Sequence, residues 1–159
     1  MDGEVLENLD YKKISVYLRN RFPFLMIDRA ELIIPQEKAV AYKNTTINEW
    51  FYQGHFPDEP IYPGVLQLES MFQTAALAVH TVKGNEDKKS YIAKVKNVVF
   101  HKNIVPGDIM RIEATICKYR RGIADAQGKV YSGGNLISEA DFVLALPEVI
   151  VHVETERRM

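Results

Sequence analysis

The amino-acid sequence predicts an α+β domain in which a mostly antiparallel sheet wraps around one long buried helix. Residues 65–80 are the best helix candidate and are apolar on nearly every side, as buried helices are. Strand-like segments follow one another with short turns, which favours antiparallel pairing. The 159 residues, 47% of them hydrophobic, suffice for one core. We therefore expect a single domain over residues 1–159, with its core at about 10–147 and an unassigned tail at 148–159.

The N-terminal elements are predicted from local signals. Asp10 can cap a short helix that Pro23 prevents from continuing. Residues 25–34 and 38–44 are apolar or β-favouring and predict two strands, with Pro35 in the turn between them.

The middle of the chain predicts an ordered loop followed by the long helix. Residues 52–64 hold five residues that neither a helix interior nor a central strand tolerates: Gly54, Pro57, Pro60, Pro63 and Gly64. The helix over residues 65–80 has Pro63 near its start and Gly84 beyond its end. Polar side chains interrupt it too often for a membrane span, so we predict a core helix.

The remaining segments predict the rest of the sheet. Residues 91–100 are rich in β-favouring types, and residues 110–116 alternate between apolar and polar as a half-buried strand does. Two further strands, at 125–131 and 136–146, are separated by a turn at 132–134.

Composition and charge narrow the possible partners. The formal net charge of −1 gives no reason to expect nucleic acid or a membrane surface. The single cysteine, Cys117, excludes an intramolecular disulfide and favours a reducing, cytoplasmic setting, and no secretory signal is visible after Met1. The four histidines and nearby carboxylates show no zinc-binding spacing.

Glu69 is the one acidic or basic side chain, histidine aside, between Ile61 and Val82. Desolvation in such surroundings raises a carboxyl pKa, toward an acid that can donate a proton near neutrality. The nearby helix N-terminus has the opposite effect, because it favours the anion. The alternative interpretation is a plain position on a solvated stripe of the helix.

Two more candidates lie just ahead of this carboxyl. His55, in the loop before the helix, suits general-base chemistry near pH 7, although a loop histidine is often a surface or structural residue. Gly64 opens the helix, where backbone N–H groups without helical partners suit a carbonyl or enolate oxygen. The alternative for Gly64 is an ordinary helix start.

The segment GHFPDEPIYPGVLQLE, from Gly54 to Glu69, closely resembles the signature of the (3R)-hydroxyacyl-acyl carrier protein dehydratases of bacterial fatty acid synthesis. It contains a histidine and a glutamate separated by 69 − 55 = 14 positions. Residues 21–29 and 105–108 also look like segments of that family, although Asn20 stands where the family often has histidine. The resemblance covers roughly residues 18–147.

This resemblance implies a hot-dog fold, no cofactor, no metal, and a dimer or trimer of dimers with active sites across the dimer interface. It implies His55 as the catalytic base, Glu69 as the catalytic acid and the Gly64 N–H as the donor to the carbonyl oxygen. Neutral His55 would take the α-proton of a 3-hydroxyacyl thioester while Glu69 protonates or orients the departing hydroxyl. A sister group that also isomerises the double bond usually has aspartate here, so Glu69 favours dehydration alone.

The acyl chain requires an apolar tunnel, for which Leu66, Met71 and Phe72 are candidate lining residues, with plain core packing equally open. Two other classes of function stay open. One is a hot-dog thioesterase or an enoyl-CoA hydratase, and the other is a non-catalytic acyl-binding subunit. The pair of His55 and Glu69 argues against hydrolysis and against loss of catalysis.

A local excess of positive charge suggests where the carrier protein docks. Residues 88–121 hold nine basic and two acidic side chains, a balance of 9 − 2 = +7, which leaves −8 for the rest of the chain. Acyl carrier proteins are strongly acidic, as the resemblance implies, and a basic patch would steer them. The candidate docking residues are Lys102, Arg120 and Arg121, unless alternation along the strands scatters these charges over both faces.

Overall fold

A seven-stranded sheet wraps around one long helix, as the sequence predicts. The structure, a computed structural model, describes residues 4–150. In chain order the elements are β1 Leu6–Leu9, α1 Tyr11–Tyr17, β2 Arg29–Ile34, β3 Lys38–Asn44, a 3-10 turn Trp50–Gln53, α2 Gly64–His80, β4 Tyr91–Phe100, β5 Ile109–Arg120, β6 Ile123–Ser132 and β7 Asn135–Ala145. The strand order is β1-β2-β3-β5-β6-β7-β4, and all neighbouring strands are antiparallel. The α+β prediction is confirmed.

Helix α2 forms the centre of the core, and residues from Ala75 to Val79 are almost without exposed surface. The helix begins at Gly64, one residue earlier than predicted, with Pro63 at the N-cap. Val65 was expected on the buried face, but it is 71% exposed. That expectation was wrong because Val65 stands in the first turn, on a side that the sheet of a single chain leaves uncovered.

The sheet approaches α2 closely at one glycine. A Cβ atom added to Gly128 of β6 would lie 2.6 Å from the Cβ of Met71. Only a glycine leaves room for the Met71 side chain, which has no exposed surface. This contact seats the middle of α2 against the sheet.

Some element boundaries differ from those predicted. The strand expected over residues 25–34 begins only at Arg29, and the short strand β1 was missed. The segment before Arg29 is instead hydrogen-bonded to α2, because the N–H of Met26 donates to the Oε1 of Gln73. The predicted cap of α1 is confirmed, since the side chain of Asp10 accepts a hydrogen bond from the N–H of Lys13.

Strand β4 forms one edge of the sheet, and all ten of its residues are exposed. After β7, Val149 packs against the core. The start of the tail that the sequence left unassigned is therefore part of the domain. Residues 151–159 of that tail lie outside the described residues. Within residues 4–150, no helix is both long enough and apolar enough to cross a membrane.

Candidate active site

His55 is held in its loop by main-chain contacts and a ring contact. Its Nδ1 lies 2.8 Å from the carbonyl oxygen of Ile61, whose N–H donates in turn to the carbonyl of His55. The imidazole also stacks on the ring of Phe56, with 4.2 Å between the centroids. Because a carbonyl only accepts, the neutral ring carries its hydrogen on Nδ1 and leaves Nε2 able to take a proton.

Glu69 lies in the second turn of α2 and is half-buried. Its Oε1 accepts a hydrogen bond of 2.8 Å from the Nε2 of Gln73, and the Nδ2 of Asn20 lies 3.5 Å from the same oxygen. Burial raises the pKa of this carboxyl, and the hydrogen bond from Gln73 opposes that rise. Desolvation therefore outweighs the stabilising influences on the anion, which the sequence alone left undecided. With Oε1 occupied, Oε2 is the oxygen available to carry the acidic proton.

Gln73 is a site residue that the sequence analysis missed. It is fully buried, and its Nε2 donates both to Glu69 and to the carbonyl of Phe24 at 2.7 Å. Its Oε1 accepts from the N–H of Met26 at 2.9 Å. One side chain therefore fixes the carboxyl and the segment beside it. The spacing of four residues from Glu69, which puts both on one helix face, was the signal that could have revealed it.

Gly64 is required by packing as well as by its place at the helix start. A Cβ atom there would lie 2.9 Å from ring atoms of Phe100, at the end of β4. Among the described residues, the N–H groups of Gly64 and Val65 have no hydrogen-bond acceptor. They are free to hold the oxygen of a thioester carbonyl.

Within a single chain, the three candidate residues have different surroundings. The N–H of Gly64 points out of the helix N-terminus, whereas the Glu69 side chain projects from the second turn. Glu69 faces the segment that holds Asn20, whereas His55 faces its own loop. Within residues 4–150 no hydrogen bond joins His55 to Glu69. The candidate base and the candidate acid of one chain thus belong to two halves of the site with different hydrogen-bond partners.

The candidate tunnel residues are all buried. Leu66 and Phe72 keep only a few per cent of their surface exposed, and Met71 keeps none. Met71 packs against Gly128 and, like the other two, stays a predicted lining residue.

Within one chain, the candidate docking residues lie at two opposite ends of the sheet. The Nζ of Lys102 donates to the side-chain oxygen of Asn135, where the hairpin of β6 and β7 turns. Arg120 and Arg121 lie at the other hairpin, between β5 and β6. The ten residues of β6 separate the two turns, a distance of roughly 30 Å. Charge counting along the sequence could not show that the strand divides the cluster.

No group of three or more His, Cys, Asp or Glu side chains within residues 4–150 is arranged to hold a metal ion.

Known proteins are similar to this chain in both sequence and fold. The FabA-like domain family matches residues 18–141. The chain belongs to the FabA-like family. Among its relatives, the 3-hydroxyacyl-acyl-carrier-protein dehydratase FabZ of Shewanella woodyi is 43% identical over 149 residues, which cover 92% of this chain and 98% of the relative. The protein of the same name from Natranaerobius thermophilus is 39% identical over 139 residues, 87% of this chain and 98% of the relative.

Solved structures support the hot-dog fold of this FabA-like protein. An uncharacterised protein from Pyrococcus horikoshii aligns with a TM-score of 0.63 and 17% identity, covering 90% of this chain and 94% of its own. The dehydratase heterocomplex ApeI:P from Xenorhabdus doucetiae gives a TM-score of 0.56 and 17% identity, covering 69% and 88%. With the family match, these likenesses confirm the fold that the signature implied.

Proposed function

We propose that this FabA-like protein is a hydro-lyase that removes water from (3R)-3-hydroxyacyl thioesters on acyl carrier protein, in fatty acid or related acyl and polyene synthesis. The observation that carries the proposal is the carboxyl of Glu69, whose pKa is raised by burial and whose Oε1 is fixed by Gln73. A general acid needs such a proton at neutral pH. The FabZ dehydratases named above support the choice of reaction and substrate.

The reaction uses three groups of the protein. The Nε2 of His55 takes the α-proton, and the electrons pass into an enolate whose oxygen accepts the N–H of Gly64. The Oε2 of Glu69 then protonates the C3 hydroxyl, the C3–O bond breaks, and water leaves with formation of the trans-2-enoyl thioester. A proton passing from His55 to Glu69 through solvent restores the starting state. No cofactor enters this scheme.

An exposed edge strand supports assembly of two chains. Strand β4 presents a ten-residue exposed edge that is apolar apart from Lys94, Lys96 and Asn97. Its large exposed apolar residues are Tyr91, Ile92, Val95, Val98, Val99 and Phe100. Such an edge is a ready template for pairing with another chain. A two-fold axis perpendicular to the sheet would pair two β4 edges antiparallel and keep both helices on one face.

This pairing would join the two halves of the site. The base half lies near Phe100, because the ring of Phe100 packs on Gly64. The acid half lies toward the start of β4, because Asn20, beside Glu69, shares a cleft with Tyr91. Antiparallel pairing sets the Phe100 end of one protomer beside the Tyr91 end of its partner. We therefore assign each active site to His55 and Gly64 of one protomer and the acid of the other.

The same two-fold would also bring the separated cations to one end of the dimer. Arg120 and Arg121 lie at the Tyr91 end of the sheet, since Ala145 pairs with both Tyr91 and Ile123. Lys102 lies at the Phe100 end. Each end of the dimer would then carry the arginines of one protomer and the lysine of the other, as a docking surface for the acidic carrier.

The test is conversion of 3-hydroxybutyryl-carrier protein, followed by mass spectrometry, together with hydration of crotonyl-carrier protein. His55→Ala and Glu69→Gln should each lower turnover by about 10²–10⁴-fold, the usual contribution of a positioned acid or base. The surface changes His101→Ala and Glu7→Gln are matched controls. Substantial activity in a folded His55→Ala protein would overturn the mechanism, and release of free acid with unloaded carrier would indicate a thioesterase instead.

A further inference from the structure

The loop that follows α1 is fixed to the rest of the chain on both sides of Asn20. Leu18, the C-cap of α1, is buried, and its N–H donates to the carbonyl of Ile14 at 2.9 Å. Beyond Asn20, the carbonyl of Phe24 accepts a hydrogen bond of 2.7 Å from the Nε2 of Gln73. Asn20 therefore lies on a short span of backbone between two fixed points.

The guanidinium of Arg21 holds this span through three main-chain oxygens. Its Nη1 donates to the carbonyls of Leu18 and Asn20 at 2.7 and 2.8 Å, and its Nη2 donates to the carbonyl of Ser15 at 3.0 Å. Ser15 and Leu18 belong to the end of α1, where helical carbonyls lack partners of their own. No carboxylate among residues 4–150 pairs with Arg21, so its donors serve the backbone of this loop.

The side chain of Asn20 is half-buried and lies next to the carboxyl of Glu69. Its Nδ2 is 3.5 Å from the Oε1 of Glu69, and hydrogen bonds of active sites are often this long before substrate binds. The same oxygen accepts from Gln73 at 2.8 Å, so two amides on different elements converge on it. One donor leaves a carboxyl free to rotate about its hydrogen bond, whereas two donors fix its plane and hence the direction of Oε2.

We propose that Asn20 is a positioning residue for the acid Glu69, and that Arg21 acts through Asn20 by holding its backbone. The inference rests on the proposed function, in which the Oε2 of Glu69 protonates the departing hydroxyl. Neither positioning residue transfers a proton, because an amide does not titrate and a guanidinium keeps its charge. Both determine where Oε2 points when the C3–O bond breaks, so their effect belongs in kcat rather than in substrate binding.

The first test uses the 3-hydroxybutyryl thioester of N-acetylcysteamine, which lacks the carrier and so excludes effects on docking. Asn20→Ala removes one donor, and Arg21→Lys keeps the charge but loses the planar guanidinium. Each should lower kcat by about three- to tenfold with little change in KM. Arg19→Lys is the matched control, because the Nη1 of Arg19 donates to the carbonyl of Asp87 instead, and it should leave kcat unchanged. An unchanged kcat in folded Asn20→Ala would overturn the proposal.

A double-mutant cycle tests whether Arg21 acts through Asn20. If it does, Asn20→Ala/Arg21→Lys should lose no more kcat than the worse of the two single variants. Both changes should also leave the residual kcat of Glu69→Gln where it is, because the acid that they position is absent. Additive losses, or further losses in Glu69→Gln, would show that Arg21 supports the fold and not the acid. Melting temperatures verify that each variant is folded.

Titration of Glu69 separates this inference from the proposed function, because it needs no turnover. The carboxyl carbon can be followed by NMR in carbon-13-labelled protein and identified by its loss in Glu69→Gln. Asn20→Asp places a like charge beside Glu69 and should move its titration to higher pH by about one unit. Asn8→Asp adds the same charge on β1, at the sheet edge opposite β4, and should not.

Equal titration of Glu69 in Asn20→Asp and Asn8→Asp would overturn the role of Asn20, whether or not the protein is active. A chain that shows the expected difference between these variants but converts no 3-hydroxyacyl thioester would overturn the proposed function, and the contact between Asn20 and Glu69 would stand.

Discussion

Gln73 stands one helical turn after Glu69 and donates its Nε2–H to the Oε1 of that carboxyl at 2.8 Å. The same amide binds the carbonyl of Phe24 and the N–H of Met26, so a single buried group links the acid to the segment before β2. This hydrogen bond stabilises the carboxylate and partly offsets the effect of burial on its pKa. The protein thereby orients its acid while keeping it protonated more readily than an exposed glutamate.

Replacing Gln73 with Leu should raise the pKa of Glu69 further, because the opposing hydrogen bond is lost and burial stays. In the proposed mechanism Glu69 acts as an acid, so activity should fall on the alkaline side when it loses its proton. In Gln73→Leu, the alkaline limb assigned to Glu69 in the pH profile of kcat should therefore move to higher pH. Maximal turnover should drop, since the carboxyl is no longer oriented. An unmoved limb, or one that survives in Glu69→Gln, would show that another group titrates.

All three catalytic candidates were recognisable because their signal is local in the sequence. His55 and Glu69 belong to one short segment, and the isolation of Glu69 among apolar residues follows from the sequence alone. The role of Gln73 depends on Phe24 and Met26, nearly fifty positions away. An apolar stretch before residue 29 looks like a strand locally, yet a buried amide takes its backbone hydrogen bonds. Periodicity cannot show a tertiary contact of this kind.

The spatial distribution of the candidate docking residues was hidden from the sequence for a related reason. Lys102 and Arg121 are close along the chain, but a ten-residue strand separates the turns where they lie. The sequence shows that residues 88–121 carry an excess of positive charge, but only the strand topology shows where those charges lie in space. The exposed edge strand was likewise hidden, because the exposure of β4 emerges only once the sheet order is known.

Replacing Gly128 with Ala should destabilise the fold. The new Cβ would lie 2.6 Å from the Cβ of Met71, which belongs to the helix and cannot swing aside like the end of a side chain. Overpacking of this kind costs about 1–3 kcal/mol, measurable as a lower midpoint in urea unfolding. Gly54→Ala is the matched control, since its nearest contact is at 4.0 Å. Met71→Ala keeps the Cβ but removes the Cγ and Sδ, which would lie 2.8 and 2.9 Å from the new Cβ. Gly128→Ala should therefore cost less stability in a Met71→Ala background than in the wild type, and an equal cost would place the strain elsewhere.

Reversing Arg120 and Arg121 to Glu should weaken use of the protein-bound substrate. We expect kcat/KM for 3-hydroxyacyl-carrier protein to fall by about tenfold or more relative to that for an N-acetylcysteamine thioester, because steering acts on the acidic carrier. The salt dependence of the carrier reaction should decrease as well. Lys12→Glu/Lys13→Glu changes the net charge equally on exposed α1 and serves as control. Equal losses on both substrates would mean that the arginines support the fold or the chemistry.

The same experiment on Lys102 tests the two-fold arrangement. If the docking surface combines Lys102 of one protomer with the arginines of its partner, Lys102→Glu should lower the same ratio. If Lys102 has no effect while the arginines do, the carrier docks on one end of a single protomer.

Mixing two inactive variants decides whether the active site spans two chains. His55→Ala and Glu69→Gln proteins, refolded together in equal amounts, should give dimers of which half contain one chain of each type. Each mixed dimer has one site with both residues intact and one with both replaced, so about a quarter of wild-type activity should return. Two affinity tags verify that mixed dimers form, and Val95→Lys, which places a charge in the apolar β4 edge, should prevent both their formation and the recovery. Absence of activity in verified mixed dimers would mean that each chain builds its own site. Because no hydrogen bond joins His55 to Glu69 within the described part of one chain, we expect a quarter of wild-type activity to return.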